Sequence, residues 1–124
     1  MNNFLAVGIG GALGSMLRYL ISLVIRSHFP WATLIANLAG SAILGFLAGS
    51  VFFMSEVRPT IRLMLMVGFC GGFTTFSTFS FQTFDLLQNG RFLEAAGNIA
   101  LNVAGCLIFT FLGYWLAKSM LSSF

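Results

Sequence analysis

A chain of 124 residues that is 58% hydrophobic and 7% charged is no ordinary soluble domain, in which about 25% of residues carry charge. Its mean hydropathy of +0.95 marks an integral membrane protein. The net charge of +3 comes from six basic residues scattered along the chain without the basic stripe that nucleic acid requires, so membrane lipid, and no nucleic acid, is the expected surrounding.

A membrane helix needs about 20 apolar residues, so the length holds one all-α domain of four spans over residues 1–124 and no separate soluble domain. The first span is predicted over residues 4–25. Met1-Asn-Asn-Phe4 lacks the basic start of a cleaved signal, so this helix is expected to be retained. Its small residues Gly8, Gly10, Gly11, Ala12, Gly14 and Ser15 let a neighbouring backbone approach closely. Arg18 lies well inside the span, where it either snorkels to the interface or lines an aqueous entrance that attracts anions.

Pro30 and Trp31 mark the first turn, with His28 as a solvated loop residue. The second span is predicted over residues 32–54. Asn37 lies deep within it and needs a partner, either a neighbouring helix or something passing by. Pro59 opens the third span, residues 60–87, which is longer than a straight crossing requires. Glycines 68, 71 and 72 and the hydroxyls of Thr74, Thr75, Ser77, Thr78 and Ser80 predict an interruption of this helix in mid-membrane. If residues 74–85 are helical, Thr74, Thr75, Thr78, Gln82 and Asp85 share one face, and Phe76, Phe79 and Thr83 a neighbouring one.

After the turn Gln88-Asn-Gly-Arg91, the fourth span is predicted over residues 93–117. Asn98, Asn102 and Cys106 recur every four residues as one polar line, and Gly97, Gly105 and Gly113 form a small-residue line. Cys70 and Cys106 fall inside spans, where a thiol packs as a small apolar group. Arg58, Arg62 and Lys118 fall on one side of the membrane, against Arg26 and Arg91 on the other. So slight a difference hardly biases insertion. Both orientations, and hence an antiparallel dimer, become available, and four helices enclose so little that a pathway is expected where subunits meet.

The acid and base inventory argues against catalysis: Glu56, Asp85 and Glu94 all fall near span ends, and His28 is the single histidine. No nucleophile with its base can be assembled, and no cluster has metal-ligand spacing. A polar path without a buried acid suits an anion. The positive edges of Phe76 and Phe79 would offer it weak contacts, and conduction requires such weakness. Two readings compete. A small multidrug-resistance type exporter, coupled to protons, needs an intramembrane carboxylate that the first three spans lack in their interiors. A non-transporting structural subunit would use the same polar residues only to hold helices together.

Three stretches carry a resemblance. Gly10-Gly-Ala-Leu-Gly-Ser-Met-Leu-Arg-Tyr19, Thr33-Leu-Ile-Ala-Asn-Leu-Ala-Gly40 and, most specifically, Gly68 to Ser80 are similar to the signatures of the Fluc/CrcB family of fluoride channels, and the similarity covers all four spans. The resemblance implies an antiparallel, dual-topology homodimer with two pores in the inner (plasma) membrane, exporting fluoride passively. It further implies a sodium ion at the dimer centre, held by the backbone carbonyls of Gly71 and Thr74 from both subunits. Phe76 and Phe79 would be the pore phenylalanines and Asn37 the pore amide. Ser77, Thr78 and Thr33 would form or support a polar track that Asn102 and Cys106 continue, with Arg18 at the vestibule. The chain departs from the family at Gln82, commonly Glu, at Ala32, usually Gly, and at Asn98, Asn102 and Cys106, often Tyr, Ser and Ser.

Overall fold

The first helix starts where Asn2 caps it: the side-chain Oδ1 accepts from the Phe4 N–H at 2.7 Å, satisfying one of the donors that a helix start leaves open. In the computed structural model, which describes residues 1–123 and the side chains of all but residues 51–53, this helix, α1, is Asn3–Val24. Pro30 precedes α2, Trp31–Gly49. The second span was expected to continue to residue 54, but Ser50 leaves helical geometry at φ −88°, ψ 30° and its hydroxyl donates to the Phe46 carbonyl at 2.7 Å. Such back-bonding competes with the helix. A short helix α3, Val51–Glu56, follows.

Pro59 occupies the first position of α4, Pro59–Arg62, where its missing N–H costs nothing. The chain then widens into a π-helical stretch, Leu63–Phe69, that closes with the Cys70 N–H donating to the Leu65 carbonyl, and returns to α geometry in α5, Cys70–Phe73. Thr74 (φ −87°, ψ 155°) and Thr75 (φ −152°, ψ 116°) are extended, and α6 occupies Phe76–Gln88. Thr74 and Thr75 therefore do not share the helical face with Thr78, Gln82 and Asp85 that a helix over 74–85 would give. Thr75 instead caps α6, its hydroxyl accepting from the Thr78 N–H at 3.2 Å.

Gly90 turns the chain at φ +72°, a conformation that residues with a Cβ rarely adopt. The last helix, α7, is Phe92–Leu121, four residues past the expected end. Arg91 and Glu94 form a bidentate pair at its start, with N–O distances of 2.9 and 2.6 Å. Arg91 Nη1 also donates to the His28 carbonyl at 3.4 Å, which brings the first and third turns to the same end of the molecule. Among the described residues, four helical stretches are long and apolar enough to cross a membrane: Asn3–Val24, Trp31–Gly49, Pro59–Gln88 and Phe92–Leu121.

Packing follows the small residues, because in hydrocarbon the driving force between helices is close backbone contact. A Cβ on Gly10 would collide with the Met64 carbonyl, one on Gly14 with that of Phe69, and one on Gly72 with that of Gly11. The first and third spans thus press glycine against backbone in both directions. Helices α2 and α7 do the same, Gly45 against the Thr110 carbonyl and Gly113 against that of Ala42. The predicted line on α7 is used only in part: Gly105 meets Leu38 and Gly113 meets Ala42, but no atom lies within 4 Å of where a Cβ on Gly97 would stand.

Candidate functional site

The site is built around the interruption at Thr74 and Thr75. In a continuous helix the Thr75 N–H would donate to the Gly71 carbonyl, four residues back. Here it donates to Asn37 Oδ1 at 2.8 Å, while Asn37 Nδ2 donates to the Thr75 carbonyl at 3.2 Å. Asn37, from α2, thus supplies from outside the two bonds that the helix has given up. Thr75 then donates its hydroxyl to Thr78 Oγ1 at 3.0 Å.

Four nearby carbonyls meet three different fates. That of Cys70 accepts from both the Thr74 N–H (3.0 Å) and the Thr74 hydroxyl (2.8 Å). That of Gly72 faces α1 and accepts from Arg18 Nε (3.3 Å) and Ser15 Oγ (3.4 Å). The Gly71 carbonyl has lost the Thr75 N–H, and that of Thr74 has lost its own helical donor, the Thr78 N–H, to Thr75 Oγ1. These last two carbonyls receive no backbone hydrogen bond among the described residues. Gly71 is exposed, with no atom within 4 Å of its absent Cβ position. An unspent carbonyl is a hard oxygen donor, so Gly71 and Thr74 fit an alkali cation.

Two cavities flank the interruption. A groove of about 540 Å³ is lined by Asn37, Gly71, Thr74, Phe76, Phe79, Asn102 and Cys106, among others. A second cavity, about 580 Å³, gathers Arg18, Thr33 and Thr78 with Ser15, Arg26 and Gln82. Thr33 and Asn37 are one helical turn apart on α2, and Thr75 and Thr78 are hydrogen-bonded, so both helices carry polar groups from one cavity to the other. Ser77 lines neither; it is exposed, with its hydroxyl 3.3 Å from Thr75 Oγ1. The two rings differ: Phe79 is 6% exposed and Phe76 74%, with centroids 5.2 Å apart and planes inclined at 60°. No carboxylate lines either cavity among the described residues, and two guanidinium groups line the second, which therefore favours anions.

Behind the groove lies a buried amide ladder. Asn37 Nδ2 donates to Asn102 Oδ1 at 2.9 Å, Asn102 Nδ2 to Asn98 Oδ1 at 3.0 Å, and Asn98 Nδ2 to Thr83 Oγ1 at 3.0 Å. Asn37 therefore spends both amide hydrogens and its oxygen inside the protein. Sequence reasoning placed Asn98 on a polar line and Thr83 beside the phenylalanines but assigned neither to the site. The spacing of Asn98 and Asn102 was the available signal, while the contact of Asn98 with Thr83 joins separate helices.

Residues 5–114 match the model of the family described as CrcB-like protein, Camphor Resistance (CrcB). The chain belongs to the CrcB family. Relatives of this CrcB chain include a protein of Yersinia pestis named fluoride-specific ion channel FluC 1, 46% identical over 124 residues and covering 98% of each chain. Fluoride-specific ion channel FluC of Methanococcus aeolicus is 43% identical, covering 98% of this chain and 99% of its own. That of Pyrococcus abyssi is 47% identical, covering 89% and 91%. This member of the family is a multi-pass membrane protein.

Proposed function

We propose that the chain forms a fluoride-selective channel, not an enzyme, through which fluoride leaves the cell passively and its toxicity is reduced. One observation carries the reading: hydroxyl and amide groups run from the Arg18 cavity past Thr33, Thr78 and Thr75 to the groove of Phe76 and Phe79. Relatives that match nearly the whole chain are named for that ion. Fluoride enters cells as a neutral weak acid and dissociates inside, and an inside-negative potential favours its exit by about 2.3 kcal/mol per 100 mV. A passive pore therefore suffices.

Each part has a physical task. Arg18 and Arg26 raise the local concentration of anions at the entrance. Thr33 and Thr78 hydroxyls replace part of the hydration shell as the ion leaves water, and Ser77 supports the Thr75 and Thr78 pair. The inclined rings of Phe76 and Phe79 offer positive edges, which attract fluoride without trapping it. Asn102 and Cys106 line the far wall. Asn37 donates to the ion only by releasing Thr75 or Asn102, so its first task is to hold the interruption open.

In this reading the third helix is broken within the membrane and the groove is closed by a second, antiparallel copy. Gly71 and Phe76 are exposed on its open side, as an interface between subunits requires. The near-balance of basic residues at the two ends permits both orientations, and hence dual topology, in the inner (plasma) membrane. The carbonyls of Gly71 and Thr74 from both copies would hold sodium, which supplies a fixed positive charge at the dimer centre. Freed from helical donors, these carbonyls suit that task. The exporter alternative gains nothing: Glu94 is paired with Arg91, and Asp85 is exposed beside Asn89.

The test is efflux from liposomes containing the purified protein, read with a fluoride electrode and compared with chloride. Fluoride release far above chloride is expected. Equal leakage of both ions, or none, refutes the reading.

A further inference from the structure

We propose that Asn98 is a positioning residue for Phe79, acting through a one-way chain of hydrogen bonds that ties this ring to the helix interruption at Thr75. The inference rests on the fluoride-channel reading and concerns residues outside the pore lining.

Asn98 and Thr83 are buried, and neither lines the groove. Asn98 Nδ2 donates to Thr83 Oγ1 at 3.0 Å, and the Thr83 hydroxyl donates to the Phe79 carbonyl at 2.8 Å. In the other direction, Asn98 Oδ1 accepts from Asn102, Asn102 Oδ1 from Asn37, and Asn37 Oδ1 from the Thr75 N–H. Every link therefore points the same way. Both ends set that polarity independently. The Thr75 N–H can only donate, which forces Asn37 to present its oxygen there and its Nδ2 to Asn102. The Phe79 carbonyl can only accept, which forces Thr83 to donate to it and so to accept from Asn98.

An amide between two ends of fixed polarity cannot turn over alone, because a flipped Asn98 would set its Nδ2 against Asn102 Nδ2, donor to donor, and present its Oδ1 to Thr83, leaving the single Thr83 hydroxyl hydrogen two acceptors. The whole ladder therefore behaves as one unit. Its consequence is mechanical. The Phe79 backbone, the first turn of α6 and the extended Thr75 are held at fixed relative positions through α7, although Thr83 and Asn98 never meet the ion. A ring that contacts fluoride through its edge depends on such placement.

The experiment is fluoride efflux from liposomes carrying Thr83→Val, Thr83→Ser, Asn98→Asp and the double variant Thr83→Val with Asn98→Asp. Thr83→Val keeps the volume and deletes the donor to Phe79; its fluoride efflux is expected to slow about tenfold, the size of one neutral hydrogen bond. Thr83→Ser keeps the hydroxyl and loses a methyl group; it is expected to stay within about threefold of the parent protein. A packing role predicts the reverse order, because Val fills the space and Ser does not. Asn98→Asp removes the donor to Thr83, and the double variant is expected to be no slower than the slower single one, since both cut the same chain. If Asn98→Asp does not assemble, the order of the two Thr83 variants decides alone. Efflux from Thr83→Val at the parent rate, Ser slower than Val, or additive losses in the double variant overturn the proposal. A parent protein with no preference for fluoride over chloride overturns the channel reading and this inference with it. A fluoride-selective parent with unaffected variants overturns only the role of Asn98.

Discussion

Replacing Asn37 with Ala tests the interruption directly. The side chain makes three bonds, accepting from the Thr75 N–H at 2.8 Å and donating to the Thr75 carbonyl at 3.2 Å and to Asn102 Oδ1 at 2.9 Å. A neutral bond contributes about 1 kcal/mol net in water-soluble proteins and about 0.6 kcal/mol between membrane helices, so three contribute about 2–3 kcal/mol. The Thr75 N–H and Asn102 Oδ1 are also left without partners in a buried position, which adds about 1–3 kcal/mol. A total loss of about 3–6 kcal/mol is expected, large against ordinary point substitutions of about 1 kcal/mol. The assay is reversible unfolding in detergent or bilayer, followed through Trp31 and Trp115, with Asn37→Ser as a partial replacement. A loss below about 1 kcal/mol for Asn37→Ala would refute the role given to this amide. The physical route to that result is healing of the helix, with the Thr75 N–H returning to the Gly71 carbonyl.

Three further outcomes are expected. Phe76→Ile or Phe79→Ile slows fluoride efflux severely while the subunits stay assembled, as measured by liposome flux beside size-exclusion chromatography; unchanged flux in both would make the rings plain packing. Gly14→Ala forces a Cβ onto the Phe69 carbonyl and costs at least about 2 kcal/mol in an unfolding assay, whereas Gly97→Ala, facing open space, stays within about 1 kcal/mol of the parent. Exchange of sodium for a large organic cation lowers the melting temperature of the detergent-solubilised protein, and sodium restores it; an unchanged melting temperature counts against the Gly71 and Thr74 carbonyl site.

The four long helices were legible because hydrophobic runs and their punctuation at Pro30, Pro59 and Asn89-Gly90 are local signals. The interruption was legible only as a stretch. Gly71 and Gly72 weaken the helix, but the residues that leave it, Thr74 and Thr75, are selected by Asn37, an acceptor 38 positions away. A helix extrapolated over 74–85 therefore gave these two threonines the wrong geometry. The small residues of α1 were visible as a group, yet which of them meet a backbone depends on the partner span: Gly10 and Gly14 do, and Gly8 has no atom within 4 Å of its Cβ position. The spacing of Asn98 and Asn102 announced a polar line. Its direction, through Thr83 to Phe79, needed the crossing of α6 and α7, which periodicity within one helix does not contain.

The π-helical stretch Leu63–Phe69 constrains how this chain can vary in length. Such a stretch holds one residue more per turn than the α-helix around it. Deleting one residue there would let the span relax into regular α-helix with the residues beyond it nearly in their original phase relative to α4, whereas a deletion within a continuous helix such as α7 rotates everything beyond it by about 100°. Gly72 would stay against Gly11, and the extended pair Thr74 and Thr75 would still reach Asn37. A single-residue deletion among 63–69 should thus be far milder than one in the middle of α7, which has no surplus residue to lose.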